Sequence, residues 1–276
     1  MEITKSFPAW LDKNHPNYLR WERARNISLE RGKFVKKILE LNHTPFNLTI
    51  LDLGSGEGGT SKVLSEKNFV VSVDINFIRL IRQKENFSLK RSLQADATIL
   101  PFPDSTFDLI IIQDVIEHIE QLNNLFTEIV RVLKYNGLVY MSTPNRLSLI
   151  NFLSDPHWGV PLVSVLNRKF IKNFFIKYFR RTEKNRKDIP ELLSLNKILN
   201  LFSDKFELKL MTDFSVDELF KENKGIVWSE FHIKLINALK KIKADRIVRR
   251  ISNNNFGFVN KYFTPTFYLL MKKKSQ

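Results

Sequence analysis

The sequence predicts an α/β fold in which a parallel sheet carries helices on both faces, and three observations predict it. Between residues 47 and 142, apolar runs alternate with helical stretches through short connections, an order typical of parallel sheets. The runs are nearly continuous rather than alternating, as expected for strands that are buried on both faces. Four of the nine glycines fall within residues 54–59, directly after the first run. That layout is typical of a ligand-binding turn between a strand and a helix.

The segment before the first strand is predicted to be helical. Residues 19–41 repeat apolar residues at helical spacing and end at His43-Thr44-Pro45. One side of this helix is apolar and consists of Ile27, Phe34, Ile38 and Leu41. Aromatic residues surround its start, namely Phe7, Trp10, Tyr18 and Trp21. We assign residues 1–46 to an N-terminal helical lid, with simple packing on the sheet as the alternative.

Four further strands follow the glycine loop. The second, residues 69–73, ends in Asp74 about twenty residues after the loop, where a carboxylate can accept both hydroxyls of a ribose. The third, residues 92–95, ends in Asp96, which could reach an exocyclic amine. A fourth covers 107–113, and a turn at residues 135–137 precedes a fifth at 138–142. The loop alone would also permit NAD, but the features that follow it argue against NAD.

At this point the chain resembles the class I S-adenosylmethionine-dependent methyltransferases. The matching motifs, in order, are L-D-L-G-S-G-E-G, V-V-S-V-D-I, Q-A-D-A, P-F-P-D-S-T-F-D-L-I, V-I-E-H-I and L-K-Y-N-G-L-V-Y-M-S-T-P-N-R. The resemblance covers about residues 47–146 and is closest to the group that includes ubiquinone-type O-methyltransferases and methyltransferases of polysaccharide gene clusters. It implies a seven-stranded Rossmann-like sheet whose last strand is inserted antiparallel, and S-adenosyl-L-methionine as the cofactor.

The resemblance also implies a role for each matching residue. Asp52 would orient the methionine amino group, and Asp74 would hold the ribose. Asp96 would accept from the adenine amine. The remaining cofactor residues would line the backbone path, pack on the adenine or close the site, and they are Gly54, Ser55, Gly56, Ile75, Ala97, Gln113 and Val115. For Asp74 the alternative is a cap for a helix over residues 76–83, and both roles can coexist.

The rest of the chain is predicted to be a basic helical cap over the carboxyl edge of the sheet. Its insertions cover residues 147–203 and 216–263, with helices over 162–181, 190–202 and 228–250. Strands near 205–213 and 265–272 complete the sheet. Residues 146–276 contain 26 Lys and Arg against 12 Asp and Glu, whereas residues 1–145 contain 18 against 17. The asymmetry favours an anionic partner, with a lysine-rich surface of an AT-rich genome as the alternative.

Two histidines are the candidates for acceptor positioning and deprotonation. His118 follows the fourth strand, and His157 lies in a turn after the fifth; histidine is the commonest general base near neutral pH. For each, a purely structural role is an equal alternative. Ubiquinone-type relatives carry a pattern similar to Asp114, Glu117 and His118 that is implicated in cation binding. The same motif occurs in metal-independent relatives, so no metal is assigned.

We expect O-methylation of a small-molecule or glycan- or lipid-linked acceptor that carries negative charge. The chain has no cysteine, which excludes disulfides and thiolate metal sites. No signal peptide or membrane span is visible, so a cytoplasmic protein is expected. The basic, aromatic helix over 162–181 could touch the inner membrane surface. The alternatives are an RNA methyltransferase, against which the absence of nucleic-acid motifs argues, and a non-catalytic binding subunit, against which the intact glycine loop argues.

Overall fold

A seven-stranded sheet forms the centre of the molecule. The structure, a computed structural model, describes residues 9–15, 17–184, 186, 188–222, 226–227 and 230–275. The strands are β1 (Thr49–Leu53), β2 (Phe69–Asp74), β3 (Ser92–Gln94), β4 (Phe107–Gln113), β5 (Leu133–Pro144), β6 (Phe206–Leu210) and β7 (Thr266–Lys273). Their order is β3-β2-β1-β4-β5-β7-β6, and β7 runs antiparallel to both of its neighbours. The predicted Rossmann-like sheet is confirmed.

Helices cover both faces of this sheet and its carboxyl edge. They are α1 (Tyr18–Asn26), α2 (Ser28–Leu41), α3 (Gly59–Leu64), α4 (Phe77–Phe87), α5 (Leu122–Val132), α6 (Leu149–Leu153), α7 (Arg168–Phe170), α8 (Lys177–Phe179), α9 (Leu195–Phe202), α10 (Thr212–Lys221), α11 (Glu230–Lys241), α12 (Asp245–Ile251) and α13 (Phe258–Tyr262). A π-helical segment, Ile171–Ile176, joins α7 to α8. Short 3-10 turns lie at Ala9–Leu11, Ile116–His118, Val163–Val165 and Arg181–Glu183.

Two apolar clusters, one on each face, hold the sheet in place. Helices α5 and α9 bury Ile129 and Phe202 on one face, and α2 buries Phe34 and Ile38 on the other. Because both faces are covered, the central strands are apolar throughout, as the sequence predicted. Polar residues such as Asp74 and Gln113 stand instead at the carboxyl ends of β2 and β4.

The strand order reverses between β1 and β4, and such a switch point opens a ligand crevice at the carboxyl edge. Both helical insertions are attached at this edge. The first leaves the end of β5, and the second leaves β6 after Leu210 and returns at Thr266, where β7 begins. The cap is therefore positioned to cover a ligand in the crevice.

Helix α2 contacts the start of α3 backbone to backbone. A Cβ added to Gly59 would lie 2.2 Å from the carbonyl carbon of Ser28, and one added to Gly32 would lie 2.8 Å from the Gly59 oxygen. Only glycine permits such an approach. The N-terminal helix is thus fixed directly to the helix that follows the glycine loop.

Several predicted elements outside the core were wrong in their limits. The helix over 19–41 is broken at Ile27, whose backbone leaves the helical region, and Leu41 in its last turn is exposed. The turn at 135–137 is a bulge inside β5, with Asn136 at φ 59°. Residues 1–8, which include Phe7, lie outside the described residues.

The helices of the cap also differ from prediction. The helix over 162–181 starts only at Arg168, because Leu162 has φ 70° and the Asn167 side chain caps the next turn. The helix over 190–202 starts at Leu195, where Ser194 caps it. The helix over 228–250 is two helices, because Lys243 at φ 58° interrupts it, and residues 228–229 are outside the described part of the chain.

Candidate active site

The glycine loop and the end of β2 are joined by hydrogen bonds. The Gly56 amide donates to Asp74 Oδ2 at 2.9 Å, and the Ser55 amide donates to the Val73 carbonyl at 2.9 Å. A Gln83 side chain from α4 donates to the Gly56 carbonyl at 2.7 Å. These bonds fix the loop beside Asp74, as a cofactor loop requires.

The end of β4 contacts the same loop. Gly54 has φ 73°, and a Cβ there would lie 2.3 Å from a Val115 methyl carbon, so only glycine fits. Thr60, at the start of α3, donates to Gln113 Oε1 at 2.8 Å. The structure therefore brings Gly54, Gln113 and Val115 together, as the resemblance implied.

Asp52 lies beneath the loop. Its side chain is buried, with the residue 2% exposed, and Oδ2 accepts a hydrogen bond from Ser61 Oγ at 2.5 Å. Burial raises the pKa of Asp52 to about 6. In this arrangement the carboxylate faces the first turn of α3, and its contact with a methionine amino group stays a prediction.

The third cofactor segment lies at the end of β3. Asp96 Oδ1 accepts hydrogen bonds from the backbone and hydroxyl groups of Thr98, and the Asp96–Ala97 turn follows β3, which pairs with β2. Ile75 is 67% exposed beside Asp74. Its predicted packing on the adenine stays a prediction.

These residues fit S-adenosylmethionine. A Cβ added to Gly56 would meet only ordinary van der Waals contacts, with Arg79 nearest at 3.6 Å. The carboxylates of Asp74 and Asp96 follow β2 and β3, and their contacts with ribose hydroxyls and an exocyclic amine stay predictions. Asp74 is not the cap of the following helix, because Asn76 fills that position by accepting from the Ile78 amide.

Trp10, near the N-terminus, contacts two arginines beside the glycine loop, and the sequence did not predict this contact. The Trp10 ring lies 5.6 Å from the Arg79 guanidinium and 5.8 Å from that of Arg82. Arg79 is 3.8 Å from Asp74 Oδ2, and Arg82 pairs with Glu57 at 3.0 Å. The 3-10 turn at Ala9–Leu11 therefore lies beside the glycine loop. The early aromatic residues were the only signal in the sequence.

The two predicted histidines come together beyond Val115. Their ring centroids are 5.1 Å apart. His118 Nδ1 lies 2.5 Å from Asp188 Oδ1, and His157 Nε2 lies 3.7 Å from Glu117 Oε1. Glu117 is fully buried, and its other oxygen accepts from Thr143 at 3.0 Å. We call these four residues, Glu117, His118, His157 and Asp188, the histidine cluster.

The pKa values of the two histidines of the cluster are shifted in opposite directions. Burial, together with the positive charge of His118, lowers the pKa of His157 well below its usual value. Burial opposes protonation of His118 as well, but the Asp188 carboxylate outweighs it and raises the pKa of that ring. Burial raises the pKa of Glu117 to about 7. The arrangement favours a neutral His157 beside a protonated His118.

Three side chains of the cluster could also ligate a cation. Ligand atoms of Glu117, His118 and His157 all lie within 4.8 Å of one another. Asp114 is not part of this group, because it accepts from Arg31 at 2.7 Å and from Ser142 at 2.9 Å. The sequence pattern therefore included Glu117 and His118 but not His157, which belongs to the cap. Within the described ranges, no helix is long and apolar enough to cross a bilayer.

Solved structures share this fold. An S-adenosylmethionine-dependent methyltransferase of Thermotoga maritima aligns with a TM-score of 0.54 at 18% identity, covering 94% of this chain and 95% of that one. One from Mesorhizobium loti aligns with a TM-score of 0.52 at 16% identity, covering 83% and 92%. At these identities the likeness concerns the fold alone.

Sequence comparison adds the family. Residues 51–141 match the methyltransferase domain model. An uncharacterised protein of Methanocaldococcus jannaschii is 30% identical over 152 residues, 54% of this chain and 64% of that protein. The malonyl-[acyl-carrier protein] O-methyltransferase of Legionella pneumophila is 32% identical over 149 residues, 51% and 49%. The alignments thus span roughly half to two thirds of these relatives' own length. Motifs, fold and domain match together identify residues 51–141 as a methyltransferase domain with the fold of the class I S-adenosylmethionine-dependent enzymes.

Proposed function

We propose that the protein transfers a methyl group from S-adenosylmethionine to an oxygen atom of a small-molecule or glycan- or lipid-linked acceptor. One observation carries the proposal: the cofactor loop and the histidine cluster meet at the end of β4. Val115 packs on Gly54, and its carbonyl accepts from the His118 amide at 2.9 Å. A nucleophile held by the cluster would therefore lie next to the cofactor.

The cofactor, when bound, supplies a methyl group on a cationic sulfur. The protein must align the acceptor with it, and alignment alone can provide much of the rate. A hydroxyl acceptor must also lose its proton. His157 Nδ1 has no hydrogen-bond partner among the described residues, so this nitrogen is the one in the cluster that can accept a hydrogen bond from that hydroxyl. Protonated His118 can donate to an acceptor oxygen or to a nearby anionic group.

Relatives support oxygen as the methylated atom. The Legionella relative carries the name of an O-methyltransferase, although a relative from maize is named as a phosphoethanolamine N-methyltransferase. The cluster favours the first reading, because a hydroxyl needs a base more than a neutral amine does. His118 and His157 are thus proposed as catalytic, with Asp188 and Glu117 as positioning residues.

Calorimetry tests the cofactor half of the proposal. We expect binding of S-adenosylmethionine and of its demethylated product, and no binding of NAD. Titration of each into the purified protein decides the matter. Binding of NAD without the sulfonium compound would contradict the argument from the loop to the cofactor.

We further propose an anionic acceptor that is met at a membrane surface. The rings of Phe170, Phe174 and Tyr178 follow each other at 4.9 Å and 5.2 Å along α7 to α8, and all three are more than 40% exposed. Lys169, Lys172 and Lys177 flank them and are exposed. We call these six residues the aromatic ridge. Of the other predicted basic residues, Arg168 and Arg180 donate to main-chain carbonyls instead.

Such a ridge suits the interface of an anionic membrane, where aromatic rings insert and each lysine near the surface contributes about 1 kcal/mol. Flotation with vesicles that contain phosphatidylglycerol tests this. We expect the protein to rise with the vesicles at low salt and to be released at high salt. Replacement of the three rings by alanine should abolish flotation, whereas Phe46→Ala, at an exposed aromatic residue before β1, should not. Failure of the wild-type protein to float would favour a soluble acceptor.

A further inference from the structure

The second insertion forms most of the wall of a large, partly open apolar cavity. It has a volume of about 230 Å³ and lies between α10, α11, α12 and the start of β7. Aliphatic and aromatic side chains form most of its wall, among them Leu219, Phe220, Leu235, Leu239 and Ile251. For comparison, a cavity of about 150 Å³ holds benzene. The volume therefore has room for a hydrocarbon chain of about nine carbons by simple proportion.

The cavity lies among helices that contact one another. Helices α10, α11 and α12 contact one another, and the insertion is anchored to the sheet at Leu210 and Thr266. An apolar cavity of this size forfeits packing contacts on every wall, which destabilises a fold unless a ligand restores them. Its lining offers an aliphatic ligand little but van der Waals contact.

The lining includes several polar residues, and one of them has a buried ring nitrogen without a partner among the described residues. His232 belongs to the wall, and its Nε2 is buried without a hydrogen-bond partner in the described part of the chain. Burial lowers the pKa of this ring to about 4, so it is neutral at physiological pH. A neutral imidazole can exchange one hydrogen bond with an ester, ether or hydroxyl oxygen at the head of the chain.

Two residues of the cavity wall are neighbours of residues near the candidate active site. Pro156 lines it, and the next residue is His157 of the histidine cluster. Tyr268 lines it as well and pairs across β5 with Ser142, whose hydroxyl donates to Asp114. A tail that fills the cavity would thus contact the residue that precedes His157.

The outer surface of the same helices is basic. Residues 230–251 contain seven Lys and Arg against two acidic residues. Lys234, Lys241, Arg246 and Arg250 are exposed. This positive surface charge attracts a molecule that combines an aliphatic tail with an anionic head as it approaches the cavity.

We propose that this cavity binds the aliphatic tail of the acceptor, so that the methylated molecule is a single-chain amphiphile with an anionic head. The inference rests on the proposed function for its methyl-accepting role. The binding of a tail, however, does not need the cofactor and can be tested without it.

The test measures displacement of a dansyl-labelled medium-chain fatty acid by fluorescence. We expect the wild-type protein to bind the probe and Leu235→Trp, which fills the cavity, to weaken binding by at least about tenfold. Ile247→Trp places the same ring on the outer side of α12, where Ile247 is 63% exposed, and should leave binding unchanged. Leu239→Phe is a second, smaller filling variant in case Leu235→Trp does not fold. Competition experiments with a linear alkyl phosphate and with an isoprenyl phosphate distinguish a straight chain from a branched one. The stronger competitor identifies the type of tail that the cavity binds.

Calorimetry with S-adenosylmethionine on the same variants separates the two proposals. Normal cofactor binding together with weakened probe binding in the filled variants supports the tail site. No probe binding by the wild type, or equal binding by a folded filled variant, overturns the tail site. Because cofactor binding is measured independently, its loss in the wild type would contradict the proposed function and not the cavity.

Discussion

The cofactor-binding region, residues 47–146, and the cap, residues 147–203 and 211–265, share the carboxyl edge of one sheet but satisfy their polar atoms differently. Among the described residues, two buried side-chain atoms lack a partner in the first region, Glu117 Oε1 and Tyr140 Oη, against six in the cap. The cofactor region is preorganised by its own hydrogen bonds, as between Gly56 and Asp74. In the cap, the unpartnered atoms include His232 Nε2 in the cavity wall and His157 Nδ1 in the histidine cluster. The cofactor region therefore satisfies its buried polar atoms internally more completely than the cap does.

The largest effect should come from the preorganised half. Asp74→Ala removes a charged acceptor for two ribose hydroxyls and also the partner of the Gly56 amide. Each hydrogen bond to a charged group contributes about 1.5–3 kcal/mol, so cofactor affinity should fall by at least about a hundredfold. Calorimetry measures it, with Glu85→Ala on the exposed side of α4 as control. Near-normal affinity of Asp74→Ala would remove the ribose assignment.

The histidine cluster connects the two halves, and its loss should affect rate rather than cofactor binding. His157→Ala should slow methyl transfer by about 10²–10⁴-fold, measured as transfer of labelled methyl from saturating cofactor to a lipid and saccharide extract. His118→Ala tests acceptor positioning in the same assay. His43→Asn, at an exposed histidine after α2, is the matched control. Full rates in both cluster variants would show that catalysis proceeds by alignment alone.

The buried carboxyl group of Asp52 should make the free energy of unfolding depend on pH. The pKa of Asp52 is raised to about 6 in the folded protein, so the folded state holds this proton more tightly than the unfolded chain. The contribution to stability is therefore present below about pH 4 and is lost as pH rises to about 6.

Asp52→Asn should remove this dependence and raise the unfolding free energy of the cofactor-free protein at pH 8 by up to about 3 kcal/mol. Urea unfolding of both proteins at acidic and alkaline pH measures the difference. An equal pH dependence in the two proteins would contradict the buried-carboxylate argument.

A smaller effect is expected on the surface of the cap. Lys172→Glu in the aromatic ridge should weaken vesicle binding by about 2 kcal/mol, since one attraction is lost and one repulsion is added. The same reversal at Lys62, on α3 of the cofactor region and exposed, should have little effect. Sedimentation with anionic vesicles compares the two variants. If both behave alike, net charge and not the ridge governs membrane contact.

The cofactor region could be predicted from sequence better than the cap. Strand ends in the cofactor region are set by local apolar runs and glycines, so Gly54, Asp74 and Gln113 were placed correctly relative to each other. The partners Asp188 of His118 and Arg31 of Asp114 lie 70 and 83 residues away along the chain, and no local pattern indicates such pairs. The helices of the cap were misjudged because single backbone positions, Leu162 and Lys243, adopt positive φ, and this conformation is rare for their residue types.

The backbone contact between α2 and α3 limits which part of the N-terminus can open to admit a cofactor. Helix α2 cannot swing away without separating Gly32 and Gly59 from the atoms they touch, and with them the loop itself. The backbone leaves the helical region at Ile27, between α1 and α2, so an N-terminal movement that leaves α2 in place would have to bend there. We expect amide hydrogen exchange in α1 to be fast and to slow when cofactor is added, while α2 stays protected throughout. Equal protection of the two helices would place the entrance elsewhere.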